Sequence, residues 1–266
     1  MKHHSLAWWM GAALGTSTVI LFAGWLALKC AAATGVQYDS RRPVLVELFT
    51  SEGCSTCPPA DKLLSDLDAE QPIPGAQVIV LSEHVTYWDH EGWRDPYSLD
   101  EVTDRQKWYD DEFGLSQVYT PQAVVDGAVQ VLGSDEQKLA HAISAAMAES
   151  KEDLAIDNAA WTGDGVSFVI RRGELTAGKS KQELVAVLAE DETETSVKTG
   201  ENAGKTLRNI AVVRTLREFS SGTVGVLTLK LPAEDKHATG PVRLVVFAAD
   251  KHNGRVLGVA EQTVAR

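Results

Sequence analysis

Cys54 and Cys57 bracket Ser55-Thr56, directly after an apolar run at residues 44–49 and directly before Pro58-Pro59. Two thiols at this spacing can close a disulfide or attack one. The thiolate is the reactive species, and an electropositive setting favours it. A helix N-terminus supplies such a setting through free N–H groups and a partial positive charge. Two intervening residues let the second sulfur reach back and resolve a mixed disulfide. Half of a zinc site has the same spacing. A closed zinc site needs four ligands. The chain holds only Cys30, Cys54 and Cys57, so a tetrathiolate is excluded. A static structural bridge is the plainer alternative, although closing so short a loop gains little chain entropy.

The surrounding pattern predicts the elements that hold these sulfurs. Residues 44–49 (Val-Leu-Val-Glu-Leu-Phe) read as a strand. Residues 57–69 read as a helix, with Leu63, Leu64 and Leu67 on one face and two prolines in the first turn, where missing N–H groups cost nothing. Residues 77–82 form a continuous apolar run, as expected of a buried parallel strand. An aromatic and polar loop follows at 84–97, then a helix at 99–113. Strands at 120–125 and 128–132 flank the turn signal Asp126-Gly127. The last helix spans 134–150, with Ser134 as cap and Gln137 at the capping-box spacing. The order is β-α-β-α-β-β-α. Two strands joined by a crossover helix run parallel, so the loop after Ser82 is expected at the same sheet edge as Cys54.

After Ser150 the texture changes. Short apolar runs at 154–156, 166–170, 183–189, 209–216, 225–231, 243–249 and 256–264 predict strands without helices between them. The expected fold is an α/β domain over 44–150 followed by an all-β, sandwich-like domain over 151–266. The polar stretch 191–206 reads as a long loop.

Other residues near the expected edge could contribute chemistry. His84, Asp89 and His90 offer imidazole and carboxylate ligands; with Cys54 and Cys57, His84 would suit copper or zinc. His84 could instead tune the Cys54 pKa or cap its strand. Tyr87, Trp88 and Trp93 form either a platform for a substrate peptide or a small satellite core. Asp61 could accept a proton from Cys57, or simply complement the helix dipole. Gly200-Glu201-Asn202-Ala203-Gly204-Lys205-Thr206 has one residue too few between its glycines for a phosphate-binding loop. Glu201, Lys205 and Arg208 are either a solvated loop or a contact to the first domain. No G-x-S-x-G or H-E-x-x-H is present.

Composition bounds the partners. The 266 residues carry a net charge of −12. No basic excess exists to displace phosphate counterions, which argues against nucleic acid. Lys2 precedes an apolar stretch at residues 6–28, followed by Lys29, Cys30 and Ala31-Ala32-Ala33. This pattern is expected of a secretory signal cleaved near Ala33, or of an uncleaved anchor, the only expected membrane contact. Residues 34–43 read as a linker. Lys29 before Cys30 argues against a lipoprotein. Either outcome places the rest of the chain in a periplasmic or secreted setting. Cleavage would leave the C-x-x-C pair as the only cysteines, where a disulfide persists.

The first half resembles the thioredoxin superfamily in element order, in the C-x-x-C at a strand-to-helix junction, and in Thr120-Pro121 before the hairpin. The resemblance implies a cis proline beside the cysteines, and Thr120, Pro121, Trp88 and Trp93 are expected to shape a substrate groove. Ser55-Thr56 between the cysteines and Gly53 before them depart from thioredoxin's Gly-Pro and Trp, so its reducing potential is not implied. Over residues 43–262 the chain is similar to the DUF1223 family of bacterial secreted proteins. The similarity rests on Val46 through Asp61 (V-E-L-F-T-S-E-G-C-S-T-C-P-P-A-D), His84 through Asp89, Gly92 through Pro96, Tyr119 through Gln122 and Gly200-Glu201-Asn202. The function expected from these readings is an exported thiol–disulfide oxidoreductase in which Cys54 attacks and Cys57 resolves. Its partners are protein thiols or disulfides, and it needs no cofactor. A copper- or zinc-binding protein using Cys54, Cys57 and His84, and a non-enzymatic binding module, are the alternatives.

Overall fold

The computed structural model describes residues 41–173, 181–232 and 240–266. The expected leader or anchor at 1–33, and all but the end of the 34–43 linker, lie outside the described residues. No helix among the described residues is long and apolar enough to cross a membrane. The first strand, β1 (Arg42–Thr50), leads to helix α1 (Pro58–Glu70) and then β2 (Ala76–His84). Helix α2 (Asp100–Phe113), strands β3 (Gln122–Val125) and β4 (Val129–Leu132), and helix α3 (Glu136–Ala146) complete the first half. These elements fall close to where periodicity puts them. Strand β3 starts two residues late because Pro121 has no N–H to give to a ladder. Helix α3 is capped not by Ser134 but by Asp135, whose carboxylate accepts from the Lys138 N–H at 3.1 Å.

The second half contributes β5 (Leu154–Thr162), β6 (Gly165–Arg172), β7 (Gln182–Ser196), β8 (Thr206–Ser220), β9 (Val226–Lys230), β10 (Val242–Asp250) and β11 (Val256–Val264). Here the expected fold class is overturned. The molecule is not a thioredoxin-like α/β domain followed by a separate sandwich-like β-domain. Strands from both halves form one mixed eight-stranded sheet in the order β11-β10-β7-β8-β2-β1-β3-β4. The seam is a parallel pairing of β2 with β8 at Ser82 and Val212. The apolar run of β2 forms the expected buried strand, and its second neighbour is β8 from the far half of the chain. Only β5, β6 and β9 form their own antiparallel sheet. Its Val166, Phe168 and Leu229 pack on Ala186, Leu188, Leu244 and Val246 of the large sheet. Residues Asp39–Arg266 accordingly fall in one compact unit.

The 191–206 stretch is also not a loop throughout. Strand β7 continues through Glu190-Asp191-Glu192-Thr193-Glu194-Thr195-Ser196, and β8 already starts at Thr206. The extension lacks apolar residues. Cross-strand charge supports it instead, with Arg208 Nε donating to Glu194 at 2.7 Å. What remains is a short turn, residues 197–205, carried by the extended β7–β8 ribbon.

Opposite the helix N-terminal edge, the β3–β4 hairpin meets the β10–β11 hairpin. Asp126 and Gly127 both have positive φ, 49° and 59°, the geometry of a tight two-residue hairpin turn. A Cβ at Gly127 would lie 2.0 Å from the Gly254 carbonyl oxygen. Gly127→Ala is therefore expected to lower the urea midpoint. The left-handed conformation alone costs about 1–2 kcal/mol, and the clash adds to it. An unchanged midpoint would show that the two hairpins part easily.

Candidate functional site

Cys54 and Cys57 are bonded to each other, with Cα atoms 5.4 Å apart, within the usual disulfide range. Cys57 is the residue just before α1. Both cysteines are fully buried. Ser55 and Thr56 between them are exposed. The expectation of free N–H groups at this helix start needs correction. Pro58 and Pro59 have none, and the Ala60 and Asp61 N–H groups both donate to the Cys57 carbonyl, at 2.8 and 3.1 Å. The Cys57 N–H donates to the Cys54 carbonyl and the Cys54 N–H to the Ser51 carbonyl. The Thr56 hydroxyl oxygen lies 3.4 Å from Cys54 Sγ.

A buried polar bank lies around this loop. Asp95 Oδ2 accepts from the Glu52 N–H at 2.7 Å, and its Oδ1 from the Tyr97 N–H at 2.9 Å. His84 Nδ1 lies 2.7 Å from Asp95 Oδ2, and His84 Nε2 3.3 Å from Ser82 Oγ. Burial works against a charged imidazole, but the carboxylates of Asp95, Asp61 and Glu52 outweigh it and hold the His84 pKa above its usual value. Burial likewise opposes ionisation of Asp95, yet the His84 charge and the hydrogen bonds it accepts keep its pKa below the usual carboxylate value. Together they form a buried ion pair. Glu52 is pushed up by burial and by Asp95. Its Oε2 accepts from Trp93 Nε1 at 2.9 Å. Asp61, one turn into α1 from Cys57, is pushed up to about 6, chiefly by burial, against a hydrogen bond from the Thr50 hydroxyl at 2.7 Å.

Most of the residues picked from the sequence meet here, in roles that differ from those expected. His84 holds Asp95, which holds the Glu52 backbone. It supports the cysteine loop from beneath, and the Cys54, Cys57 and His84 ligand set is not assembled while the sulfurs are bonded to each other. Among the described residues, no group of three or more His, Cys, Asp or Glu is arranged to hold a metal ion. Trp88 donates from Nε1 to Thr120 Oγ1 at 2.7 Å, and its Cβ would be 3.1 Å from a Cβ at Gly53. Trp88 therefore packs on the cysteine loop and holds Thr120, which precedes the buried Pro121. The Thr120–Pro121 peptide is cis. Trp93 serves as donor to Glu52. Asp89 accepts from the Asp95 N–H and the Ser98 hydroxyl, so it shapes the loop, while His90 is exposed. Tyr87 donates to Gln106.

Two residues were missed. Asp95 gave no periodic signal, and only the local motif Gly92-Trp93-Arg94-Asp95-Pro96 marked it. Asn202 sits in a polar stretch but is fully buried. Its Nδ2 donates to the Glu52 carbonyl at 2.8 Å and the Cys54 carbonyl at 3.0 Å, and its Oδ1 accepts from Lys205 at 2.9 Å. Beside it, Glu201 Oε2 accepts from the Ser55 N–H at 3.1 Å. Of the three residues offered as a contact to the first half, Glu201 makes it and Arg208 instead pairs with Glu194. The turn at 197–205 is pinned by Thr199 Oγ1 donating to the Gly92 carbonyl at 2.5 Å. Gly200 permits the approach: its φ is 77°, and a Cβ there would lie 3.0 Å from the Trp93 Cβ.

The segments that build this site, from the end of β1 through the Gly200 turn, lie within residues 45–249, which match the profile of a protein family of unknown function, DUF1223. The chain belongs to the DUF1223 family. A crystal structure of a protein from Agrobacterium tumefaciens is similar to it, with 27% identity and a TM-score of 0.61, covering 83% of this chain and 94% of that one. A domain of the outer membrane lipoprotein Omp28 from Porphyromonas gingivalis is a weaker match, with 14% identity and a TM-score of 0.27, covering 44% of this chain and 89% of that one. No curated protein matches the chain. The DUF1223 residues quoted above for the C-x-x-C, His84, Gly92 and Gly200 segments are those that converge around the bridge.

Proposed function

We propose that this DUF1223 protein is an exported thiol–disulfide oxidoreductase acting through Cys54 and Cys57, on protein thiols or disulfides. The observation that carries the reading is the bridge at the start of α1 with an ionisable, buried Asp61 one turn away. A pKa of about 6 leaves Asp61 mostly ionised at neutral pH, so it can take a proton from a thiol and return it. In the oxidising direction a substrate thiolate attacks Cys54 Sγ. The Cys54–Cys57 bond breaks, and Cys57 leaves with the electron pair and takes up a proton. A second substrate thiolate then attacks the substrate sulfur of the mixed disulfide. Cys54 is released as a thiolate, the substrate is left oxidised to a disulfide, and the pair is reduced by two electrons. The reverse sequence reduces a substrate. Trp88, which holds Thr120, borders the loop where a substrate chain would lie. No cofactor enters, because electrons pass only between sulfurs.

Complete burial of both sulfurs favours a second reading, a binding module in which the bridge is a static staple. Exchange of the wild-type bridge with a small dithiol, and of the single thiols of Cys57→Ser and Cys54→Ser with a disulfide-bonded protein, separates the two. The wild-type chain should pass its disulfide to the dithiol, Cys57→Ser should accumulate a mixed disulfide, and Cys54→Ser should do neither. A bridge that survives millimolar dithiothreitol in the folded state, with no mixed disulfide in Cys57→Ser, would leave the static staple standing. The export half of the proposal rests on the N-terminal sequence pattern, and fractionation of cells making the full chain tests it.

A further inference from the structure

The turn at residues 197–205 does more than pack on the site. It reaches the cysteine loop from the far half of the chain. Two of its side chains grip the loop. Asn202 is fully buried and ties together the Glu52 and Cys54 carbonyls. Glu201 is exposed, yet its carboxylate takes the Ser55 N–H, one residue from Cys54. The other N–H groups described for this loop are committed to local carbonyls or to buried Asp95 and Ser51. The Thr56 hydroxyl already lies 3.4 Å from Cys54 Sγ, and the Ser55 N–H is the neighbouring backbone donor whose partner comes from the turn. In the bridged form a negative charge from the turn already occupies it.

We propose that the 197–205 turn is a latch on the disulfide, in which Asn202 positions the Cys54 loop and Glu201 competes with the Cys54 thiolate for the Ser55 N–H. The inference rests on the thiol–disulfide reading for its biological meaning. The latch has two consequences. An attacking thiol reaches the buried bridge only when the turn lifts from the loop. The Glu201 charge also disfavours the thiolate, and so holds the pair toward the disulfide. Removing that charge stabilises the thiolate, lowers the Cys54 pKa and stabilises the reduced form, which makes the pair more oxidising. The hinges lie where β7 ends at Ser196 and β8 begins at Thr206, and the pin to be broken is Thr199 on the Gly92 carbonyl.

Glu201→Gln tests this cleanly. The amide oxygen can still accept from the Ser55 N–H, so the contact survives and only the charge is lost. Bridge reduction in the purified full chain would be followed with tris(2-carboxyethyl)phosphine. The Cys54 pKa would be read from alkylation rate against pH in a Cys57→Ser background, with and without Glu201→Gln. The expected result is reduction faster by about three- to ten-fold, the difference between a charged and a neutral acceptor, together with a lower Cys54 pKa. Asn202→Ser should speed reduction further by loosening both carbonyls. If that variant proves too unstable, Thr199→Ala, which removes only the exposed pin, should also speed it. Equal reduction rates and an equal Cys54 pKa in Glu201→Gln would overturn the latch. A merely structural Glu201 would lower thermal stability without moving the pKa. The phosphine readout needs no protein substrate, so the latch can stand where exchange with protein dithiols fails, and fall where exchange succeeds.

Discussion

Arg105→Leu is expected to cost about 3–5 kcal/mol of folding stability, because it strands a buried carboxylate. Glu47 on β1 points to the face of the sheet covered by α2. Arg105 Nε donates to Glu47 Oε1 at 2.6 Å, the Tyr109 hydroxyl donates to Glu47 Oε2 at 2.7 Å, and Arg105 Nη2 reaches the Tyr109 oxygen at 2.7 Å. Glu83 of β2 is also fully buried. Its pKa is pushed well up, first by burial and then by the Glu47 charge, against the pull of Arg105, so it keeps its proton. The guanidinium also lies 5.1 Å from the Phe247 ring of β10, which ties the two halves of the chain at this point. Without it, two acids face each other in the core with no cation. The measurement is a urea or guanidinium melt followed by tryptophan fluorescence. Arg105→Leu combined with Glu47→Leu should recover much of the loss, since an apolar replacement of a whole buried pair is often tolerated. A loss under about 1 kcal/mol in the single variant would mean that water reaches Glu47 and the network is not sealed.

The second large effect is at Asp61 and has the opposite sign. Its ordinary value is 3.8, and in the folded chain it is raised to about 6, chiefly by burial. A carboxyl raised on folding gives stability that is fully present below pH 3.8 and is lost as pH climbs through 6. Holding the charge at pH 8 therefore costs about 3 kcal/mol by linkage. Asp61→Asn should be more stable than the wild type by up to about that amount at pH 8, and equal to it near pH 4. The amide oxygen can still accept from Thr50. The price should appear in chemistry: if Asp61 takes the Cys57 proton, the exchange rate of the variant loses its inflection near pH 6. Melts at pH 4, 6 and 8 check the first part, and rate against pH the second. A pH-independent stability difference would show that Asp61 is already paired and neutralised in the wild type.

Much of the site could be read from particular residues. The apolar run of β1, the two prolines after Cys57 and the Asp126-Gly127 turn each obey a local rule, and each fell where it was expected. Asn202 obeyed none. A buried asparagine in a polar stretch looks like a loop residue until its partners are known, and its partners are carbonyls 148 and 150 positions away.

Sequence alone determined the local chemistry: a C-x-x-C between a strand and a helix, flanked by His84, Trp88 and Thr120-Pro121, in a chain with no basic surplus for nucleic acid. Hydrophobic periodicity reports which face of an element is buried, but not against what. The tertiary structure decided that β2 pairs with β8, which merges two expected domains into one eight-stranded sheet. It also decided that the polar end of β7 is strand, because a strand partner and cross-strand charge can satisfy backbone groups that no apolar pattern announces. That extension carries Glu201 and Asn202 onto the cysteine loop, and so closes the site.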